Sequence, residues 1–130
     1  MATLTDVQLQ ALTRMLSERE SVVQAEVRAA REAAAERPSV QGPQVEDLVE
    51  AGEERLRVGM EHAELERDQQ ELRAIDDARE RMAKGSYGEC MDCGRDIPFD
   101  RLKAQPTAKR CIACQSVWEK THPTTPRYSA

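Results

Sequence analysis

Apolar residues first recur along the chain at Leu9, Leu12, Leu16, Val23 and Ala30, in heptad-like steps, with Arg19 interrupting the line. That spacing puts them on one face of an α-helix. Thr5 and Gln8, three residues apart, have the makings of a capping box, and Leu4 and Leu9 stand where a hydrophobic staple closes over the first turn. No proline or glycine occurs before Pro38, so the pattern predicts one helix over about 6–37. The stretch RPSVQGPQ, from Arg37 to Gln44, holds two prolines and a glycine and ends it. A second helical pattern covers about 45–84. Leu56, Met60 and Ala63 mark one stripe on it and Leu72, Ile75 and Met82 a later one, while Arg67 and Asp68 interrupt. Gly52 and Gly59 weaken its early turns, each by about 1 kcal/mol relative to alanine.

Two helices joined by so short a loop fold back as an antiparallel hairpin. At about 1.5 Å per residue the second helix is on the order of 55 Å long. Such a hairpin has little interior, so its charged residues read first as a solvated face. KGSYG, from Lys84 to Gly88, closes the second helix with two glycines. After Cys111 a short helix is predicted through Val117 and Trp118 to about Lys120. The expected fold is mainly α: a long antiparallel two-helix coiled-coil hairpin over 1–84 with its tip at about 38–52. A small four-cysteine finger with a short C-terminal helix follows over 85–121, then a frayed tail over 122–130.

Charge sharpens this picture. Of 130 residues, 33% are charged and only 3% aromatic, which suits long helices better than a layered core. Residues 46–84 hold thirteen acids against seven bases, whereas residues 85–130 hold five acids against seven bases. The acidic middle and the net charge of −5 argue against coating nucleic acid through the overall field. No apolar run is long enough to span a membrane, and MATLTDVQLQ lacks a basic start followed by an apolar stretch. A reducing, cytoplasmic setting is expected, where paired cysteines are more often metal ligands than disulfides.

All four cysteines fall in two Cys-x-x-Cys pairs, Cys90/Cys93 and Cys111/Cys114, with seventeen residues between the pairs. Each such turn offers two thiolates to one side of a tetrahedral ion, and a second turn closes the other side. Gly94 suits the tight turn after the first pair. The segment has too few large apolar residues to fold alone, and apparent zinc binding energies of about 10–16 kcal/mol can substitute for a core. One structural Zn2+ is the expectation, with iron on four thiolates chemically possible. Four cysteine ligands leave no open position for catalysis, so no enzymatic role is expected. Disulfides would need an oxidising compartment, and a thioredoxin-like site would need a βαβ setting.

Arg95, Arg101, Lys103, Lys109 and Arg110 could face nucleic acid, but Asp92, Asp96 and Asp100 lie among them. A binding face needs a cleaner basic patch or stacking aromatics. His62 and His122 are far from the cysteines in sequence and read as surface residues. Trp118, Leu102 and Phe99 are expected to pack the finger against the first and last turns of the hairpin.

YGECMDCGRDIP followed by RLKAQPTAKRCIAC resembles the DksA/TraR family of bacterial transcription regulators. The shared features are Tyr87-Gly88, Gly94, Arg101-Leu102, Ala104, Pro106 and the cysteine spacing. The resemblance is strongest over 86–115 and looser over the helical part. It implies a direct partner, bacterial RNA polymerase, with the coiled coil entering the secondary channel and acidic tip residues acting near the catalytic centre. Sequence-specific DNA binding is not expected, and a monomer is. The family's tip pattern, Asp-x-x-Asp-x-Ala, counted back without gaps from Cys90, falls on Asp47, Glu50 and Gly52. Asp47 matches, Glu50 keeps the charge on a longer arm, and Gly52 departs from alanine. The positions implied to contact guanosine tetraphosphate fall on Ala74, Gln105 and Gln115, none of them a cation, so weak dependence or independence is expected. The leading alternative is a zinc-ribbon protein that binds nucleic acid directly. A family-shaped decoy that partners something else is a third reading.

Overall fold

The computed structural model describes residues 4–36 and 47–122, and the side chains of Asp47 and Leu48 lie outside that description. Four helices occur among them: α1 (Asp6–Glu36), α2 (Asp47–Lys84), α3 (Phe99–Ala104) and α4 (Ile112–Thr121). The fold is mainly α, an antiparallel two-helix coiled coil joined to a four-cysteine finger. The greater part of the expected tip, over 38–46, the expected start of the second helix at Val45, and all but the first residue of the expected tail lie outside the described residues.

The start of α1 is built as its sequence predicts. The backbone N–H of Thr5 donates to Gln8 Oε1 at 3.0 Å, and the N–H of Gln8 donates back to Thr5 Oγ1 at 3.1 Å. Leu4 and Leu9 are both partly buried beside the core. At the far end of α2, the N–H of Gly85 reaches the carbonyl of Met82 at 3.3 Å and that of Ser86 reaches the carbonyl of Arg81 at 2.9 Å. This is a Schellman closure, and Gly85 supplies the left-handed residue it requires, with φ 78°.

The chain divides into two compact units, one of Met1–Ser17 with Ala74–Ala130 and one of Glu18–Arg73. In the first, Leu12 and Leu16 of α1 and Ile75 and Ala78 of α2 form one buried cluster with Tyr87, Cys90, Ile97, Leu102 and Ala108. Thr13 Oγ1, which donates to the Leu9 carbonyl at 2.8 Å, lies 3.6 Å from the Met82 sulfur, and an Arg79 Nη donates to Ser17 Oγ at 3.2 Å. Leu102 and Phe99 therefore pack the finger against the helices as expected. Trp118 does not join that cluster; it stacks on His122 and lies beneath Arg110, because these two neighbours cover its faces.

In the second unit Val23 and Val27 are buried, and Arg19 forms a two-point ion pair with Glu71 at 2.5 and 2.9 Å. The hydrogen bond to Glu71 holds the Arg19 pKa above its ordinary value, with Glu26 and Asp68 adding to it. Here the expected stripe on α2 is corrected. Leu56 and Met60 are 71% and 68% exposed, and Ala63 is exposed as well. The line that recedes from solvent is Ala51, Glu54, Val58, Glu61, Leu65, Asp68 and Leu72, in alternating steps of three and four. This is a heptad seam in which every other member is an acid, so hydrophobicity alone points to the wrong face. Of the seam acids, Glu54 accepts from Arg57 at 2.7 Å.

Candidate metal centre

Cys90 and Cys93 sit on the turn that follows an isolated antiparallel bridge between Glu89 and Asp96. Backbone bonds shape that turn: Cys90 N–H to the Arg95 carbonyl at 2.8 Å, and Gly94 N–H to the Cys90 carbonyl at 2.9 Å. Gly94 adopts φ 75°, a left-handed value that disfavours side chains, which accounts for glycine after the second cysteine. Cys111 is the N-cap of α4, and Cys114 lies in its first turn. The two halves are joined by the Met91 N–H, which donates to the Lys109 carbonyl at 2.9 Å.

The four Sγ atoms all lie within 4.8 Å of one another, and Cys93 and Cys111 approach to 3.8 Å. Zinc–sulfur bonds of about 2.3 Å in a tetrahedron set the sulfurs about 3.8 Å apart, so the cysteines fit one zinc ion. The electrostatics agree. Burial opposes ionisation of Cys90, yet the backbone of Cys111, Cys93 and Asp92 outweighs it and brings the thiol down to about 6. Contacts with the Cys111 and Cys90 side chains push Cys114 up to about 12. Four crowded thiolates need a cation to coexist, and the start of α4 adds the positive end of a helix dipole.

The four cysteines that the sequence singles out converge, and a clamp around them was missed. Arg110, 8% exposed, donates to Asp92 at 2.8 Å and stacks 4.9 Å above the Trp118 ring. Arg101 donates to the Arg110 carbonyl at 2.9 Å, and Tyr87 donates through its hydroxyl to the Pro106 carbonyl at 2.8 Å. Two of the five bases weighed for nucleic acid thus have internal partners. The only advance signal was their placement: Arg110 precedes a ligand and Asp92 lies between two. Of the other predicted positions, Glu50 is exposed on α2 and Gly52 is half-buried, while Asp47 begins the helix. His62 and His122 are exposed.

A short knuckle, a capped helix and four converging thiols define a C4 zinc-finger protein carrying a helical hairpin. Residues 85–120 match the family described as the prokaryotic dksA/traR C4-type zinc finger. The structure is similar to that of transcription factor DksA2 from Pseudomonas aeruginosa, with a TM-score of 0.72 and 30% identity, over 92% of this chain and 88% of that one. The chain belongs to the DksA/TraR family. It is also 40% identical over 57 residues to an 8.2 kDa protein of Escherichia phage P2, covering 42% of this chain and 77% of that protein. Against the RNA polymerase-binding transcription factor DksA of Escherichia coli it is 27% identical over 73 residues, 56% of this chain and 48% of that protein. The chain spans less than half the length of the first curated relatives it matches, between 30% and 43%.

Proposed function

We propose that this protein is a non-enzymatic regulator that binds bacterial RNA polymerase directly and inserts the coiled-coil tip into the secondary channel. The observation that carries the reading is the likeness to DksA2 across both the helices and the finger. In this reading the hairpin over 1–84 is the acting part, the finger over 85–121 its base, and residues 122–130 a tail. Cys90, Cys93, Cys111 and Cys114 would hold one zinc ion, whose contribution when bound is structural.

Asp47 and Glu50 deliver negative charge at the tip, and Gly52 leaves open the space where the family pattern has a methyl group. Acids held near the catalytic centre of the polymerase would alter the stability of promoter complexes by their charge rather than by bond making. Response to guanosine tetraphosphate is weak or absent, because Ala74, Gln105 and Gln115 offer no cation to its phosphates. Gln115 is moreover engaged with Glu119 at 3.2 Å. The protein acts as a monomer in the cytoplasm, without sequence-specific DNA binding.

Co-purification with bacterial RNA polymerase tests the partner, with an Asp47→Asn variant beside it in a promoter-complex lifetime assay. The zinc-loaded protein binds and changes the lifetime, and the variant binds with a reduced effect. Absence of binding would sink the reading. Binding with an unchanged effect in the variant would remove the tip assignment alone. Salt-sensitive affinity for bare DNA without polymerase would favour the zinc-ribbon alternative.

A further inference from the structure

α4 has no buried residue and no side-chain cap at its start, and its apolar Ile112 and Val117 are exposed. A helix of 10 residues does not hold itself in water, so its attachments to the rest of the finger decide its place. One attachment is the pair Cys111 and Cys114, which pack against the core and converge with the first pair. The other is Trp118, whose ring lies 4.9 Å beneath the Arg110 guanidinium and 4.4 Å from His122, almost parallel to it at 5°. The Trp118 carbonyl accepts from the His122 N–H at 2.9 Å and from the Thr121 hydroxyl at 3.0 Å, which fixes that stack. Arg110 is gripped in turn. Its Nε donates at 2.8 Å to Asp92, the residue between the first two cysteines, and its carbonyl accepts at 2.9 Å from Arg101, the neighbour of buried Leu102.

We infer that Arg110 is a positioning residue for the metal centre: with Asp92 and Trp118 it latches both Cys-x-x-Cys turns and α4 together and so slows the loss of Zn2+. The inference is independent of the polymerase-binding reading. The backbone bond from the Met91 N–H to the Lys109 carbonyl already joins the two turns, but it leaves α4 untouched. One residue further along each turn, Asp92 and Arg110 repeat that link with side chains, and the arginine extends it to the helix that carries Cys114. Arginine suits both tasks at once. The edge of its planar guanidinium donates to a carboxylate while its face covers an indole, whereas a lysine ammonium presents no such plane. A cation as little exposed as Arg110 is costly unless paired, so its partners hold it and it holds them. Groups that fix the segments bearing metal ligands govern metal affinity by about 10–100-fold without touching the ion.

The test follows transfer of zinc from the loaded full chain to an excess of a chromogenic chelator, alongside hydrogen exchange of the zinc-loaded protein. Arg110→Met and Asp92→Asn each release zinc about 10–100-fold faster than the wild type. The double variant releases it no faster than Arg110→Met, because the two residues act through one contact. Trp118→Leu also speeds release, and Trp118→Phe, which keeps an aromatic face beneath the guanidinium, restores most of the slow rate. With zinc bound, protection in the variants falls over 112–121 while the amides of Leu12 and Ile75 keep theirs, which a general loss of stability would not allow. Wild-type release rates in both Arg110→Met and Asp92→Asn would overturn the inference. So would an equal loss of protection at Leu12 and Ile75, or fully additive effects in the double variant. If Arg110→Met does not fold, Asp92→Asn decides the matter alone, since that side chain is exposed and its replacement keeps the same shape.

Discussion

Tyr87 shows how single side chains fix the finger. It is 3% exposed, its hydroxyl donates to the Pro106 carbonyl at 2.8 Å, and the Arg81 guanidinium lies 6.0 Å from its ring centre. Burial pushes its pKa from the ordinary 10.0 up to about 12, with Arg81 pulling weakly the other way. A buried phenol that holds its proton more tightly than the unfolded chain does stabilises the fold fully below about pH 10. That contribution disappears as the pH rises from 10 through 12, because the unfolded chain ionises first. Denaturant melts between pH 8 and 11.5 should show this alkaline loss in the wild type and a shallower one in Tyr87→Phe. At neutral pH the same variant loses the bond to Pro106 and about 0.5–1.5 kcal/mol of stability. Leu102, with no exposed surface, has no polar role, and Leu102→Ala should cost about 2–5 kcal/mol in the same assay. An unchanged denaturation midpoint for Leu102→Ala would contradict its place in the core.

At the scale of elements, the ends of the helices are more legible in the sequence than their faces. Thr5 and Gln8 announce the start of α1 by local chemistry, and Gly85 announces the end of α2, because caps depend on neighbours within a few residues. Gly85→Ala should therefore cost on the order of 1–2 kcal/mol, read from chemical denaturation, since alanine resists φ 78°. An unchanged midpoint would mean that the closure is not needed. The buried face of α1 was also legible at Leu12, Leu16 and Val23, where apolar residues mark it. The face of α2 was not. Its seam places Glu54, Glu61 and Asp68 one heptad apart, and its apolar Leu56 and Met60 point outward. A pattern that ranks positions by hydrophobicity inverts the helix there, and only the partner helix settles which face it covers. The short α3 escaped for another reason. Its six residues are held by Leu102 in a core drawn from distant parts of the chain, which no local period records.

The whole chain combines a unit whose core includes a ligand with a unit that has none of the four cysteines. Cys90 is itself a member of the buried cluster that includes Leu12, Ile75 and Leu102, and Cys111 and Cys114 pack against that cluster. Four thiolates at this spacing were readable from the sequence because metal geometry restricts the loops that can present them; the shared core was not, because it is made by folding. Removing the metal should thus be felt through the first unit rather than at the finger alone. A strong chelator at neutral pH should abolish hydrogen-exchange protection over 87–118 and lower it around Leu12 and Ile75. The amides around Val23 and Leu65, in the other unit, should change less. The single tryptophan gives an optical check: Trp118 stacks at 4.4 Å on His122 and 4.9 Å beneath Arg110, so its emission should shift to the red in parallel. Cys90→Ser should reproduce the chelated state without chelator. Retention of full metal content, protection and melting temperature by that variant would refute a structural zinc. Uniform loss of protection in both units would show instead that the chain folds as one cooperative whole, with the ion underwriting the helices as well as the finger.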